Sequence, residues 1–176
     1  MESPVIRLEL ELAKFDLDRR AVDRDLTHRG FSLIRPERIG DADASRARLH
    51  QLAQLIVNDS PRTDPVENGF WEFINAQSIE PAYEPAEVVV AVHDDQWVGF
   101  SITDSHGESY VLSDSVWVAP AYRRRGLAIS MVAQAAAAAH DLHVPLMRAE
   151  VGRTDDALLA VYHALGFTES PSSDTP

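Results

Sequence analysis

Residues 116–141 constrain the fold more than any other stretch of this chain. Val116, Trp117 and Val118 end an apolar strand, Ala119 and Pro120 turn it, and Arg123, Arg124, Arg125 and Gly126 follow. A helical sequence then runs to residue 141, with Ala135 to Ala139 unbroken. Side chains that small let a helix lie close on a sheet. A strand feeding such a helix through a short turn calls for α and β elements layered in one domain.

The remaining apolar pattern supplies the rest of the sheet. Residues 5–13 alternate, with Ile6, Leu8, Leu10 and Leu12 on one side and Arg7, Glu9 and Glu11 on the other. Period two over that length predicts a half-buried strand. Residues 88–92 form a continuous apolar run, which predicts a central strand covered on both faces. The turn His93-Asp94-Asp95, a strand over 97–103, the turn Ser105-His106-Gly107 and a strand over 110–118 continue it as an antiparallel meander. Shorter strands are expected over 31–34 and 146–151. Helices are expected over 17–29, 43–57, 124–141 and 155–165, with Gly30 and Gly166 placed to end the first and last. Residues 58–68, which hold Pro61 and Pro65, and residues 81–85 read as loops. Phe70, Trp71, Phe73 and Ile74 suggest a short helix, either packed in the core or lining a pocket.

Composition removes several classes of chemistry. The chain has no cysteine, which excludes disulfides, thiolate zinc sites and thiol nucleophiles. The histidines do not cluster. His140 and His143 fall at a helix end, where the dipole favours cations, so no metal site is expected. No apolar run reaches the roughly 20 residues that span a bilayer. The first residues lack the basic-then-apolar layout of a signal peptide, and a cytoplasmic protein without membrane partners is expected. The net charge of −12 argues against nucleic acid as a partner. It either draws cationic substrates by long-range attraction or serves only solubility.

The turn before the long helix is where chemistry can sit. A helix start presents unpaired N–H groups and the positive end of the dipole, and phosphates bind there. Gly126 allows close approach to the backbone, and the arginines add charge and forked donors. The plain alternative is a solvated basic turn. The order of strand, proline turn, glycine and helix favours an anion site.

Arg123-x-x-Gly126-x-Ala128 resembles the Gln/Arg-x-x-Gly-x-Gly/Ala acyl-CoA signature of the GNAT superfamily of N-acetyltransferases. Further along, Tyr162-His163-Ala164-Leu165-Gly166-Phe167 resembles that superfamily's closing helix, a Tyr followed by Leu-Gly-Phe. The resemblance covers residues 31–169. Residues 1–30, with Phe15-Asp16 and Arg29-Gly30-Phe31, are similar to a strand–helix extension in one bacterial branch, and also to the remnant of a preceding acetyltransferase repeat. They are expected to pack on the domain, and residues 170–176 to be a disordered tail.

The resemblance implies an α+β fold with a mixed, mostly antiparallel central sheet flanked by helices. Two splayed parallel strands, one ending at Val118 and one over 146–151, would hold acetyl-CoA as acyl donor. It implies that Val116, Trp117 and Val118 meet the pantetheine. Arg123, Arg124, Arg125, Gly126, Leu127, Ala128 and Ile129 would cradle the pyrophosphate, mostly through main-chain groups. Amine attack on a thioester needs a free amine, a stabilised oxyanion and a proton for the departing thiolate. Tyr162 stands where the superfamily places its general acid, and a phenol of reference pKa near 10 suits that role. Asp114 is the candidate base, placed by period two on one face with Val116 and Val118, with Glu150 on the facing strand as its rival.

Two departures from the family pattern stand out. Asp155 occupies a position where many relatives carry Asn; it can cap the last helix but offers the cofactor no amide donor. The family's usual strand after Gly-Phe has little sequence left to form it. Residues 5–13 would either fill that place or pair with a second subunit as a homodimer. The expected activity is direct acetyl transfer to a primary amine of a small molecule. The alternatives are a protein or peptide N-acetyltransferase and a non-catalytic acyl-CoA-binding or dimerisation module.

Overall fold

The alternation at residues 5–13 becomes strand β1 (Val5–Glu11), which burial confirms: Ile6, Leu8 and Leu10 are buried and the residues between them face outward. A single 3₁₀ turn, Leu12–Lys14, ends it. The computed structural model describes residues 5–16, 25–35, 43–59, 87–106 and 110–170. The expected short helix with Phe70, Trp71 and Phe73, most of both proline loops and the tail beyond 170 lie outside them.

Among the described residues, after a helical segment over 25–28, the strands and α-helices with both ends described follow in the order β2 (Phe31–Ile34), α1 (Asp43–Asp59), β3 (Glu87–His93), β4 (Gln96–His106), β5 (Tyr110–Val118), α2 (Leu127–Asp141), β6 (Leu146–Gly152), α3 (Asp156–Ala164) and β7 (Thr168–Glu169). They form one seven-stranded sheet in the order β2-β3-β4-β5-β6-β1-β7. Every neighbour pair is antiparallel except β5 and β6. The expected mixed sheet and meander are both present. Asp94 and Asp95, with φ of 47° and 62°, make the two-residue turn between β3 and β4. Positive φ at both central positions matches the twist of the strands it joins.

β1 lies between β6 and β7 in this sheet. It pairs with β6 along its whole length, from Val5 opposite Gly152 to Glu11 opposite Leu146, and with β7 at Leu8 and Glu9. The strand is thus used within its own sheet along the edge that meets β6, while β7 covers its other edge only at Leu8 and Glu9.

The two faces of the sheet differ. On one lies α2, whose residues Met131, Val132, Ala133, Ala135, Ala136 and Ala139 are all buried. Its small side chains reach a core made by Ile6, Leu8, Leu10, Val111, Val116, Met147, Ala149 and Val151, which Tyr162 of α3 and Leu165 just beyond it close. On the other face α1 buries Leu52 and Ile56 against Phe100, Ile102 and Trp117. Burial of such side chains gives about 1.5–3 kcal/mol each, which is the main force holding the layers.

Candidate functional site

The site begins where β5 and β6 part. Their parallel pairing runs from Tyr110 opposite Leu146 to Ser113 opposite Ala149 and goes no further. Beyond it, β5 continues to Val118 and β6 to Gly152 as separate strands. The fork opens at a β-bulge. On β4, Thr103 pairs with Ser113 and Ile102 with Ser115, so Asp114 has no partner across the ladder. A bulge of this kind shifts the alternation of the strand. Val111 and Val116 therefore share one core, although strict period two would set them on opposite faces. The alternation that placed Asp114 on one face with Val116 and Val118 does not run through residue 114. Past the bulge it holds: Val116 and Val118 pack against α2, and Trp117 faces α1.

The end of β5 is held closely by β4. Gly99 lies opposite Val118, and a β-carbon there would stand 2.9 Å from the Trp117 carbonyl oxygen. Glycine permits this approach. The Ala119 amide then donates to the Val98 carbonyl at 2.8 Å, which fixes the turn into Pro120–Tyr122.

Helix α2 starts at Leu127, later than the pattern predicted, for a conformational reason. Arg124 has φ of 63° and Gly126, the N-cap, has φ of 82°. Both are left-handed and neither can belong to a right-handed helix. The first intrahelical bond is the Ser130 amide to the Gly126 carbonyl, at 3.0 Å, and the Ser130 hydroxyl donates to the same oxygen at 2.8 Å. The amides of Leu127, Ala128 and Ile129 precede that bond and have no acceptor within the helix. A β-carbon at Gly126 would meet no protein atom within 4 Å. The loop thus presents donors beside open space, the requirement for an anion cradle.

The three arginines divide their labour. Arg123 donates through Nε to the Val118 carbonyl at 2.9 Å and through its terminal nitrogen to Asp59. The Arg125 guanidinium lies 5.9 Å from the Phe31 ring centroid and 5.7 Å from that of Tyr122, and donates to the Ala121 carbonyl at 3.3 Å. Among the described residues Arg124 makes no hydrogen bond, ion pair or ring contact of its side chain. The forked donors read from the sequence are therefore mostly engaged with the protein, and the donors the loop leaves unengaged are chiefly its backbone amides.

Tyr162 lies on α3 in the core that joins the two splayed strands, with Val116, Ala149 and Val151, and only 2% of its surface is exposed. Its ring meets Phe167 edge-on at 4.9 Å. Gly166, with φ of 92°, turns the chain so that Phe167 can return to the core. Asp155 caps α3, accepting from the Leu158 amide at 2.9 Å. Glu150, the rival base, is bound to Arg7 at 2.9 Å on the outer face of the sheet, where both side chains are more than half exposed. Beside it Arg148 and Glu9 form a second cross-strand pair at 2.8 Å. The structure adds Asp59, which meets Arg123 and Trp117. Sequence reading placed it in the loop over 58–68 and offered no signal for it.

Comparison with known proteins agrees with this geometry. Residues 84–169 match the family model for the acetyltransferase (GNAT) domain. A mycothiol acetyltransferase of Thermomonospora curvata is 31% identical over 124 residues, covering 67% of this chain and 40% of that protein. A tandem GNAT protein from the clavulanic acid biosynthesis pathway superposes with a TM-score of 0.63 at 16% identity, over 94% of this chain and 50% of its own. The ribosomal-protein-S18-alanine N-acetyltransferase of Escherichia coli gives a TM-score of 0.57 at 18% identity, over 80% and 79%. The chain thus spans half or less of the first two.

Proposed function

The chain belongs to the GNAT superfamily of acetyltransferases, and on that premise we propose that it is an acetyl-CoA-dependent N-acetyltransferase that transfers directly to a primary amine of a small molecule. The observation that carries this reading is the juxtaposition of the β5–β6 fork with the unbonded amides at the start of α2. One would receive an extended pantetheine between strands and the other its pyrophosphate. The donor supplies an activated thioester; the remaining work falls to this chain's own groups.

Val116, Trp117 and Val118, past the last β5–β6 pair, have main-chain groups that no β6 strand engages. They are the proposed pantetheine contacts. The residues from Arg123 to Ile129 are the proposed pyrophosphate cradle, with Asp155 at the neighbouring cap of α3. Tyr162 is the proposed acid, giving its phenolic proton to the leaving thiolate. Asp114 is the proposed base, taking a proton from the substrate ammonium so that its lone pair is free. Its bulge position at the mouth of the fork supports that role, since bulges recur beside active sites and redirect side chains.

The relatives point to different acceptors, one named for mycothiol and one for a ribosomal protein's alanine. Net charge of −12 favours a cationic amine by steering. No helix among the described residues is long and apolar enough to cross a membrane. The test is isothermal titration with acetyl-CoA, followed by thiol release measured over parallel panels of small amines and peptides. Saturable binding and turnover with small amines are expected. No heat at high micromolar donor, or turnover confined to peptides, would overturn the reading in its first or second part.

A further inference from the structure

We infer that Asp59 is a positioning residue for the pyrophosphate loop, acting through Arg123. The inference rests on the assignment of that loop to the cofactor. Asp59 is the last residue of α1, and its carboxylate there opposes the helix dipole. Its place is explained by what it holds. Oδ2 accepts from the Arg123 guanidinium and, at 3.0 Å, from the indole Nε1 of Trp117. Its side chain is 19% exposed, against 47% for Arg123, so this pair is better sheltered than an ordinary surface ion pair.

The same guanidinium donates from Nε to the Val118 carbonyl. One carboxylate thus ties together the end of α1, the last strand residues before the turn and the first residue of the loop motif. Arg123 itself is extended, with φ of −63° and ψ of 161°, and is followed by the left-handed Arg124. Nothing in such a backbone is self-supporting as a helix is. The loop's shape depends on anchors, and Asp59 supplies a charged one from outside the motif. A ligand that needs several amides aimed at once loses affinity when such an anchor goes. The structure places Asp59 on the far side of Arg123 from the loop amides in the chain of contacts, so its influence on the cofactor is indirect.

The experiment compares coenzyme A with pantetheine, which lacks the pyrophosphate, by titration calorimetry on the full chain. Wild type, Asp59→Asn, Asp59→Glu, Arg123→Gln and the double variant Asp59→Asn/Arg123→Gln are measured, each with its thermal unfolding curve. Asp59→Asn is expected to weaken coenzyme A about tenfold and pantetheine distinctly less. Asp59→Glu should recover part of the loss. Arg123→Gln, which also loses the bond to the Val118 carbonyl, should lose at least as much as Asp59→Asn, and the double variant should lose less than the sum of the two single losses, because both share the Asp59–Arg123 contact. If Asp59→Asn does not fold, Arg123→Gln and Asp59→Glu carry the same comparison. Equal losses for both ligands, unchanged coenzyme A affinity, or additive losses would overturn the inference. Absence of binding by the wild type would overturn the acetyltransferase reading along with it, whereas wild-type binding with an indifferent Asp59→Asn overturns this inference alone.

Discussion

Gly126 allows conformation and ligand contact to be separated. Its φ of 82° and ψ of 2° put it in the left-handed region. An alanine there costs roughly 1–2 kcal/mol, offset by about 0.4–1 kcal/mol from the stiffer unfolded chain. The difference is about 1 kcal/mol, or about 2–4 °C in Tm for a domain of this size. No clash adds to it, since a β-carbon meets no protein atom within 4 Å. The methyl would instead stand in space that no protein atom fills. If a pyrophosphate occupies that space, one or two charge-assisted hydrogen bonds weaken, and acetyl-CoA affinity falls by about 10- to 100-fold. Gly126→Asn is the control, because Asn tolerates the left-handed conformation but not the close approach. Calorimetry and thermal unfolding should show Gly126→Ala losing both stability and affinity, and Gly126→Asn losing affinity with most stability kept. Wild-type affinity in both variants would refute the loop as the pyrophosphate site. An unchanged Tm in Gly126→Ala would refute the strain argument.

Tyr162→Phe should lower turnover by about 10²- to 10⁴-fold with acetyl-CoA binding retained, and unchanged turnover in a steady-state assay would remove the acid role. Asp155→Ala should cost about 1 kcal/mol of stability through the lost cap, read by urea unfolding. Asp155→Asn should keep the cap and tighten acetyl-CoA binding through its amide donor. Leu8→Ala, at a position with 0% exposure, should destabilise by about 2–5 kcal/mol; a loss below 1 kcal/mol would show that β1 is peripheral to the core.

Most of the fold was legible because it is written in periodicity. The alternation at Ile6, Leu8 and Leu10, the apolar run at Val88 to Val92 and the glycine stops at Gly30 and Gly166 each act locally. The start of α2 was misread by a few residues because a run of arginines is compatible with a helix, and only the left-handed Arg124 and Gly126 exclude it. The bulge at Asp114 was invisible, since it is a property of the register between two strands. The same limit hid Asp59. Its partners Trp117 and Arg123 lie far along the chain, and no spacing rule connects them. The engagement of Arg123 and Arg125 with protein groups was hidden for the same reason. A sequence shows how many donors a loop owns, while the fold decides which remain for a ligand.

The pairing of β1 with β6 has a consequence for how this chain comes to be made. Val5 meets Gly152, and Glu11 meets Leu146, so β1 is synthesised long before the strand it pairs with. Until residue 152 has left the ribosome, the row of Ile6, Leu8 and Leu10 has no partner strand and stays available to other chains. Long-range pairings of this kind slow folding and leave sticky intermediates. Slow synthesis, or truncation before β6, should therefore show itself as a solubility defect before any loss of catalytic residues is felt.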